Sequence, residues 1–434
     1  MPLSRFTVQN YRCFPTEQEI ELGKITVVLG QNNSGKSALV RAPLVMSTGL
    51  RRSLDPSTPS GLPLDLERLG EGAPTFRDLV HGQRPHQRIR FTMDLIDREG
   101  MSGTVKVSLQ DVDEWQAQVV DRITLHKGNH SVSLRWLPNP DNPWGRIQEY
   151  EIQQGTEVTN ERVRFIGLQP RSTLTFDNRK ETHLPDFGGL FLGFDQIRYL
   201  GPFRTRPGRV RRLPSRAPRT VGATGEDALD ILANDVVRGQ GRVLRALNRI
   251  LSENIPGWTV GITDHEIGMY SVHLTSTHDP SVQVSLGDAG TGVVQMLPVL
   301  VQRALDEVNR SPLGDVLEIV EEPELHLHPS AHADVADLFI SAATRSRRVR
   351  FLIETHSETF LLRIRRRIAE GRLNPDDVSL YFVEHANGAG EARRIGIDRL
   401  GNLDYWPSGV FTEDFEETRA LAQAQSGRLG SHAR

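Results

Sequence analysis

The feature that most constrains this chain is an eight-residue run, Gly30-Gln31-Asn32-Asn33-Ser34-Gly35-Lys36-Ser37, which satisfies G-x-x-x-x-G-K-[ST] in full. It follows an apolar segment, Ile25 to Leu29, and opens a helical one, Ala38 to Met46. Strand, glycine loop and helix is the context in which this pattern holds phosphate. Gly30 and Gly35 let the backbone come close to a ligand. Backbone N–H groups between Gly30 and Ala38, those of Asn32, Asn33 and Ser34 among them, wrap the phosphates. The helix N-terminus adds a dipole that favours negative charge. Lys36 is expected to neutralise the β and γ phosphates, and the Ser37 hydroxyl to ligate Mg2+.

A second apolar strand, Val316 to Val320, runs straight into Glu321-Glu322-Pro323-Glu324. Two carboxylates at a buried strand end suit a metal ligand and a general base beside a bound phosphate. Glu321 is expected to hold Mg2+ through water and Glu322 to polarise the attacking water. Pro323 has no N–H for the ladder and ends the strand. The metal position is a Glu, one methylene longer than the Asp of many phosphate-loop proteins, and Glu318 interrupts the apolar strand.

A third strand end reads Phe351-Leu352-Ile353-Glu354-Thr355-His356-Ser357-Glu358. His356, placed there, is expected to reach the γ phosphate and sense hydrolysis. His326, His328 and His332 leave two readings open, a metal cluster or packing with local hydrogen bonds.

Composition narrows the class. Among 434 residues, 37% are hydrophobic and 25% charged, which supports a sizeable core rather than disorder. A net charge of −3 excludes a globally basic nucleic-acid coat but not local basic patches. Cys13 is the only cysteine, so neither an internal disulfide nor a cysteine zinc site is expected, and a reducing cytoplasm fits. The start of the chain has no long apolar run and no stretch reaches the ~18 apolar residues of a membrane span, so no secretory signal and no membrane association are expected.

The rest of the chain divides by periodicity. Short strands are expected at Arg5 to Val8 and Ile20 to Leu22, and period-two alternation from Ile89 to Val163 predicts an antiparallel sheet with one wet face. A Pro/Arg-rich break covers 204–219, and helical periodicity follows from Gly225 to Glu253. Strands resume at Thr259 to Thr263, Tyr270 to Thr275 and Val282 to Leu286. The last third alternates strand and helix, which implies parallel βαβ units. Neither an internal repeat nor a heptad run is present, so no long coiled-coil arm is expected.

Together these pieces resemble the ABC-type ATPases of the RecF, structural-maintenance-of-chromosomes and overcoming-lysogenization-defect lineage. The resemblance is carried by VQNYRCF and IELGKITVVLGQNNSGKSAL near the start, and by EEPELHLHP and ETHSE later. Thr75 to His81 stands where such proteins place their Q-loop, and Tyr199 to Arg204 is similar to a second family block. Trp406-Pro407-Ser408-Gly409-Val410-Phe411 looks like the tail of a prokaryotic subgroup with an uncharacterised C-terminal domain, found near ATPase subunits of anti-phage systems such as Septu and PARIS.

The resemblance implies an α/β fold, an ABC-type P-loop NTPase head with a mixed or antiparallel β lobe, a parallel α/β lobe and a short helical insertion. The corresponding divisions are 1–203, 204–258 and 259–434. It implies ATP and Mg2+ as cofactors, Arg12 among the nucleotide contacts, and a signature segment that meets ATP across a head-to-tail homodimer or higher oligomer. Ser285 to Gln295 fits that segment best, with Asp288, Gly290 and Gly292 as its contacts; a plain Gly-rich turn before a helix is the other reading.

Seven arginines within 204–219 leave three readings open: nucleic-acid contact, a solvated linker, or contact with an acidic partner. Two further basic clusters, at Arg345, Arg347, Arg348 and Arg350 and at Arg363, Arg365, Arg366 and Arg367, more often mark solvated faces. The expected function is a slow ATPase switch or scaffold in anti-phage defence, with a separate effector such as a nuclease. The alternatives are a repair or recombination ATPase acting directly on DNA and a non-hydrolysing, ATP-bound scaffold. A transporter subunit is disfavoured by the EEPE motif and the missing Ser-Gly-Gly-Gln.

Overall fold

A computed structural model describes residues 3–50, 62–96, 100–139, 147–172, 197–254, 256–265, 268–309, 315–346, 348–386, 388–407 and 417–425. Arg347 and Ser408 to Phe411 lie outside them.

The period-two region forms one antiparallel sheet of nine strands. A meander of seven, from Arg88–Ile96 to Gln169–Ser172, is continued at its Arg88–Ile96 edge by the hairpin Leu3–Gln9 and Gln18–Glu21. Arg88–Ile96 shows the cause of the alternation: Ile89, Phe91, Met93 and Leu95 point inward and are buried, while Arg88 and Arg90 face solvent. The inner face packs on the phosphate-loop helix, Lys36–Leu50, through Leu39, Val40 and Met46.

The α/β part is a six-stranded sheet in the order Ile197–Leu200, Val316–Glu321, Val349–Glu354, Ile25–Gly30, Val378–Ala386, Ala389–Ile395. The first five are parallel and the last turns back antiparallel. Both faces are covered, so Val316–Glu321 is buried at all six positions. Glu318, the residue that interrupts that apolar run, is buried against Arg303 and lies 3.7 Å from Arg198. A buried charge survives when it is paired in this way.

The helical stretch from Gly225 consists of two helices, Ala228–Val237 and Arg242–Asn254. Gly241 takes a left-handed φ of +64°, and the Asp235 carboxylate accepts from the N–H groups of Arg242 and Leu244, capping the second helix. Residues 204–258 share a core with the strands that come after them in the chain. The strand Arg211–Arg212 joins Met269–Ser276, Trp258–His265 and Gln283–Ser285 in a small antiparallel sheet, and Leu229, Leu232, Leu247 and Leu251 pack in the same core as Val260, Val272 and Leu274.

Candidate functional site

Three parallel strands bring three loops to one sheet edge. In register, Glu354 stands beside Val28 on one side and Glu321 on the other. The carboxyl ends of Ile25–Gly30, Val316–Glu321 and Val349–Glu354 therefore converge, as a parallel sheet requires of consecutive neighbours.

The phosphate loop is built by backbone conformations that few residues accept. Gly30 has φ +151°, and a Cβ there would lie 2.1 Å from the Val383 carbonyl oxygen. Gly35 has φ +106°, and a Cβ there would lie 2.2 Å from Cys13 Sγ. Lys36 is 3% exposed and its ammonium donates to the Gln31 carbonyl at 2.6 Å, curling over its own loop. Burial holds the lysine below its ordinary pKa, with Glu354 and Glu322 pulling the other way. The buried Ser34 hydroxyl has no partner. A lysine turned back on its loop and an unpaired hydroxyl at a helix N-terminus fit a polyphosphate, which would supply acceptors for both.

The carboxylates at these strand ends take different partners. Glu321 is 1% exposed, and both its oxygens accept from Arg41 at 2.6 Å. It is Glu354 that receives the Ser37 hydroxyl, at 2.9 Å. Burial raises Glu354 to about 7, the charge on Glu321 adding to the effect. Glu322 sits just past the strand with a left-handed φ of +42°, a conformation that costs about 1 kcal/mol for a residue with a Cβ. Its N–H donates to the Glu354 carbonyl at 2.8 Å. Its carboxylate lies 3.8 Å from His356 Nε2. Burial, and to a lesser degree Lys36, lowers His356 to about 4, so the imidazole is neutral at pH 7.

Glu324 and Arg204 position these groups; the sequence reading assigns Glu324 no role and counts Arg204 within the arginine run. The Glu324 carboxylate accepts from Thr355 Oγ1 at 2.6 Å and from the His356 N–H at 2.8 Å, fixing the turn that carries the histidine. Arg204 is 5% exposed and donates to the carbonyls of Gln295, Glu321 and Glu322. Gln295 donates back to the Arg204 carbonyl at 3.2 Å. The signal available in sequence was only Arg204 closing the block Tyr199 to Arg204.

His326, His328 and His332 follow the packing reading. His328 caps the helix Pro329–Arg345 by accepting from the Ser330 N–H, and His332 lies between Ser357 Oγ at 2.8 Å and the Leu327 carbonyl. His326 takes a left-handed φ of +64°. Among the described residues, the cluster with metal-binding geometry is instead Glu322, Glu354 and His356.

Arg12 belongs to the rim. Its N–H donates to the Leu79 carbonyl, its own carbonyl meets His81 Nδ1 at 2.7 Å, and its Nε is buried without a partner. It thus joins the first strand's turn to the Thr75–His81 segment, which is closed by a Thr75–Asp78 capping box.

The segment Ser285 to Gln295 forms a short 3-10 turn, Leu286–Asp288, then the helix Thr291–Val308 with Gly290 at its N-cap. A Cβ on Gly292 would lie 2.9 Å from the His326 carbonyl oxygen, so this glycine lets the helix start against the loop after the carboxylates. Asp288 pairs with Arg209 at 3.0 Å, and Arg206 donates to the Gly287 carbonyl.

The arginine run therefore serves the fold more than a solvated linker would. Arg204, Arg206, Arg209 and Arg211 bind the carboxylate turn, Gly287, Asp288 and Asp230 respectively. Arg212, Arg216 and Arg219 are exposed. In the later cluster Arg363 and Arg367 pair with Asp337, Arg366 pairs with Glu370, and Arg365 donates to the Gly401 carbonyl.

A family model described as an AAA ATPase domain matches residues 1–53 and 248–361, which hold the phosphate loop, the paired carboxylates and His356. These two stretches are similar to an AAA ATPase domain. A second model, described as a protein of unknown function (DUF3696), matches residues 373–421. No curated protein matches. Similar solved structures include the SMC head domain from Thermotoga maritima, at 11% identity and TM-score 0.42, covering 92% of this chain and 100% of that one. An SMC head bound to the C-terminal winged-helix domain of ScpA has 11% identity and TM-score 0.48, covering 92% and 99%. An SMC head with extended coiled coil, bound to the C-terminal domain of ScpA derived from Pyrococcus furiosus, has 10% identity and TM-score 0.47, covering 91% and 97%. Among the described residues, no helix is long and apolar enough to cross a membrane.

Proposed function

We propose that this protein is a slow, ATP-driven switch that assembles as a dimer or higher oligomer around nucleotide. The observation that carries the reading is the meeting of Lys36, Ser37, Glu322, Glu354 and His356 at adjoining strand ends. Mg2+ would be held by Ser37 with Glu321 or Glu354, and would neutralise charge developing on the transferred phosphoryl group. Lys36 binds and orients the terminal phosphates. Glu322 takes the proton of the attacking water, and neutral His356 offers a hydrogen bond to the terminal phosphate.

The signature segment supports a composite site. The helix Thr291–Val308, with Gly290 at its N-cap, presents the positive end of its dipole, while Arg206 and Arg209 hold the preceding turn in place. Asp288, Gly290 and Gly292 of one chain would close over nucleotide bound by another. Arg204 links that helix to Glu321 and Glu322, so closure at the signature is felt at the base. The tail resemblance supports a setting in anti-phage defence, with effector chemistry in a separate partner such as a nuclease, and a cytoplasmic location.

Direct action on DNA is the second reading, and Arg212, Arg216 and Arg219 are the exposed cations that favour it. The oligomeric state with and without ATP tests the main reading. Glu322→Gln is expected to shift from monomer to dimer on adding ATP, as seen by light scattering. A mass unmoved by ATP contradicts it. Salt-sensitive DNA binding that is lost when Arg212, Arg216 and Arg219 are reversed to Glu would favour the second reading.

A further inference from the structure

Three donor side chains meet at the strand ends without belonging to the phosphate loop. A carboxylate oxygen each from Glu322 and Glu354 and a ring nitrogen of His356 lie within 4.8 Å of one another. Glu354 is 2% exposed. One of its oxygens accepts from Ser37, while the other, Oε2, is buried with no partner at all. An unpaired buried acceptor costs about 1–3 kcal/mol, so a fold that keeps one at a ligand-binding edge is short of a donor or a cation there. The His356 ring faces Glu322 at 3.8 Å, beyond hydrogen-bond reach. Lys36, the cation best placed to answer, is turned to the Gln31 carbonyl.

We propose that the nucleotide-free chain binds one divalent cation of the Mn2+ or Zn2+ class through Glu322, Glu354 and His356. The donor set selects the class. An imidazole with two carboxylates suits borderline transition cations, whereas Mg2+ prefers oxygen ligands and keeps much of its water. Donors at roughly 2.1 Å from a metal at tetrahedral angles stand about 3.4 Å apart, so the cluster closes on an ion with a contraction of up to about 1.4 Å. The site shares at most Glu354 with the Mg2+ position expected beside the nucleotide. It omits Glu321, whose carboxylate is committed to Arg41, and it uses a histidine that the hydrolytic reading assigns to phosphate. Glu324 supports the ligand geometry by holding the His356 N–H and Thr355. The proposal concerns the resting chain and does not rest on ATP turnover.

The test uses the full chain, stripped of nucleotide and metal and titrated with Mn2+ under electron paramagnetic resonance, with Mg2+ as competitor. One Mn2+ per chain is expected, retained against equimolar Mg2+. His356→Ala and Glu354→Gln should each weaken it about tenfold or more. Because His356 is partly exposed and Glu354→Gln keeps the side-chain shape, both variants are expected to fold, checked by circular dichroism. Lys36→Ala should keep the Mn2+ while losing binding of a fluorescent ATP analogue, which separates this site from nucleotide binding. Absence of stoichiometric Mn2+, displacement by equimolar Mg2+, or wild-type affinity in both ligand variants overturns the proposal.

Discussion

The Ser37 hydroxyl donates to the Glu354 carboxylate at 2.9 Å, joining the last residue of the phosphate loop to the end of the neighbouring parallel strand. This one bond ties the start of the helix Lys36–Leu50 to the end of the strand Val349–Glu354. It also places a buried carboxylate where the sequence offered only an apolar strand running into a histidine turn.

The protonation of Glu354 sets a pH dependence. Burial, reinforced by the charge on Glu321, lifts the carboxyl from its ordinary 4.5 to about 7. Its raised pKa means the folded chain binds this proton more tightly than the unfolded chain. Its contribution to stability is fully present below pH 4.5 and is lost as pH rises through about 7. Glu354→Gln carries no charge, so it is expected to match the wild type near pH 5 and to exceed it at pH 8, by up to about 3 kcal/mol. Thermal melts across that range decide the point; parallel curves would refute the assignment.

The glycines of the loop fail for separable reasons. Gly30→Ala drives a Cβ into the Val383 carbonyl, a backbone atom that cannot step aside. Gly35→Ala drives one toward Cys13 Sγ, with Phe14 Cζ next at 3.0 Å. Both substitutions are expected to cost more than about 1 kcal/mol and to abolish nucleotide binding. Adding Cys13→Ala should recover part of the stability lost in Gly35→Ala and none of that lost in Gly30→Ala, as read from urea unfolding.

Arg204 holds two elements together from inside. Arg204→Ala leaves the carbonyls of Gln295, Glu321 and Glu322 without their buried donor. A loss of about 3 kcal/mol is expected, and Lys should restore only part of it, since an ammonium cannot span the same three acceptors as a planar guanidinium. Denaturant unfolding of the two variants measures this.

Arg209 and Asp288 form an exposed pair worth less than about 1 kcal/mol to the fold. Arg209→Glu is therefore expected to leave stability and nucleotide binding by the single chain intact. If the signature segment works across an interface, the same change weakens ATP-dependent dimerisation about tenfold or more, measurable by light scattering over a dilution series.

Much of this was legible in the sequence because strong local patterns coincided with tertiary roles. The loop at Gly30 to Ser37, the antiparallel run from Ile89 and the strand ends at Glu321 and Glu354 appear where periodicity and glycine chemistry place them. The helical stretch expected from Gly225 to Glu253 is present in two pieces, because the periodic pattern hides a left-handed Gly241 and a capping Asp235. The arginine run was open in the sequence for a different reason. Composition counts Arg204, Arg206, Arg209 and Arg211 as free cations, while their partners lie up to 118 positions away in the chain. The Arg41–Glu321 pair, separated by 280 positions, was invisible on the same grounds.

The central claim is that Lys36 and Glu322 act on one bound ATP from different strands. Phosphate release by the purified full chain, with nucleotide binding measured in parallel, addresses it most directly. Glu322→Gln is expected to retain ATP binding while turnover falls about 10²-fold or more, and Lys36→Ala to lose binding and turnover together. Wild-type turnover in either variant would contradict the account.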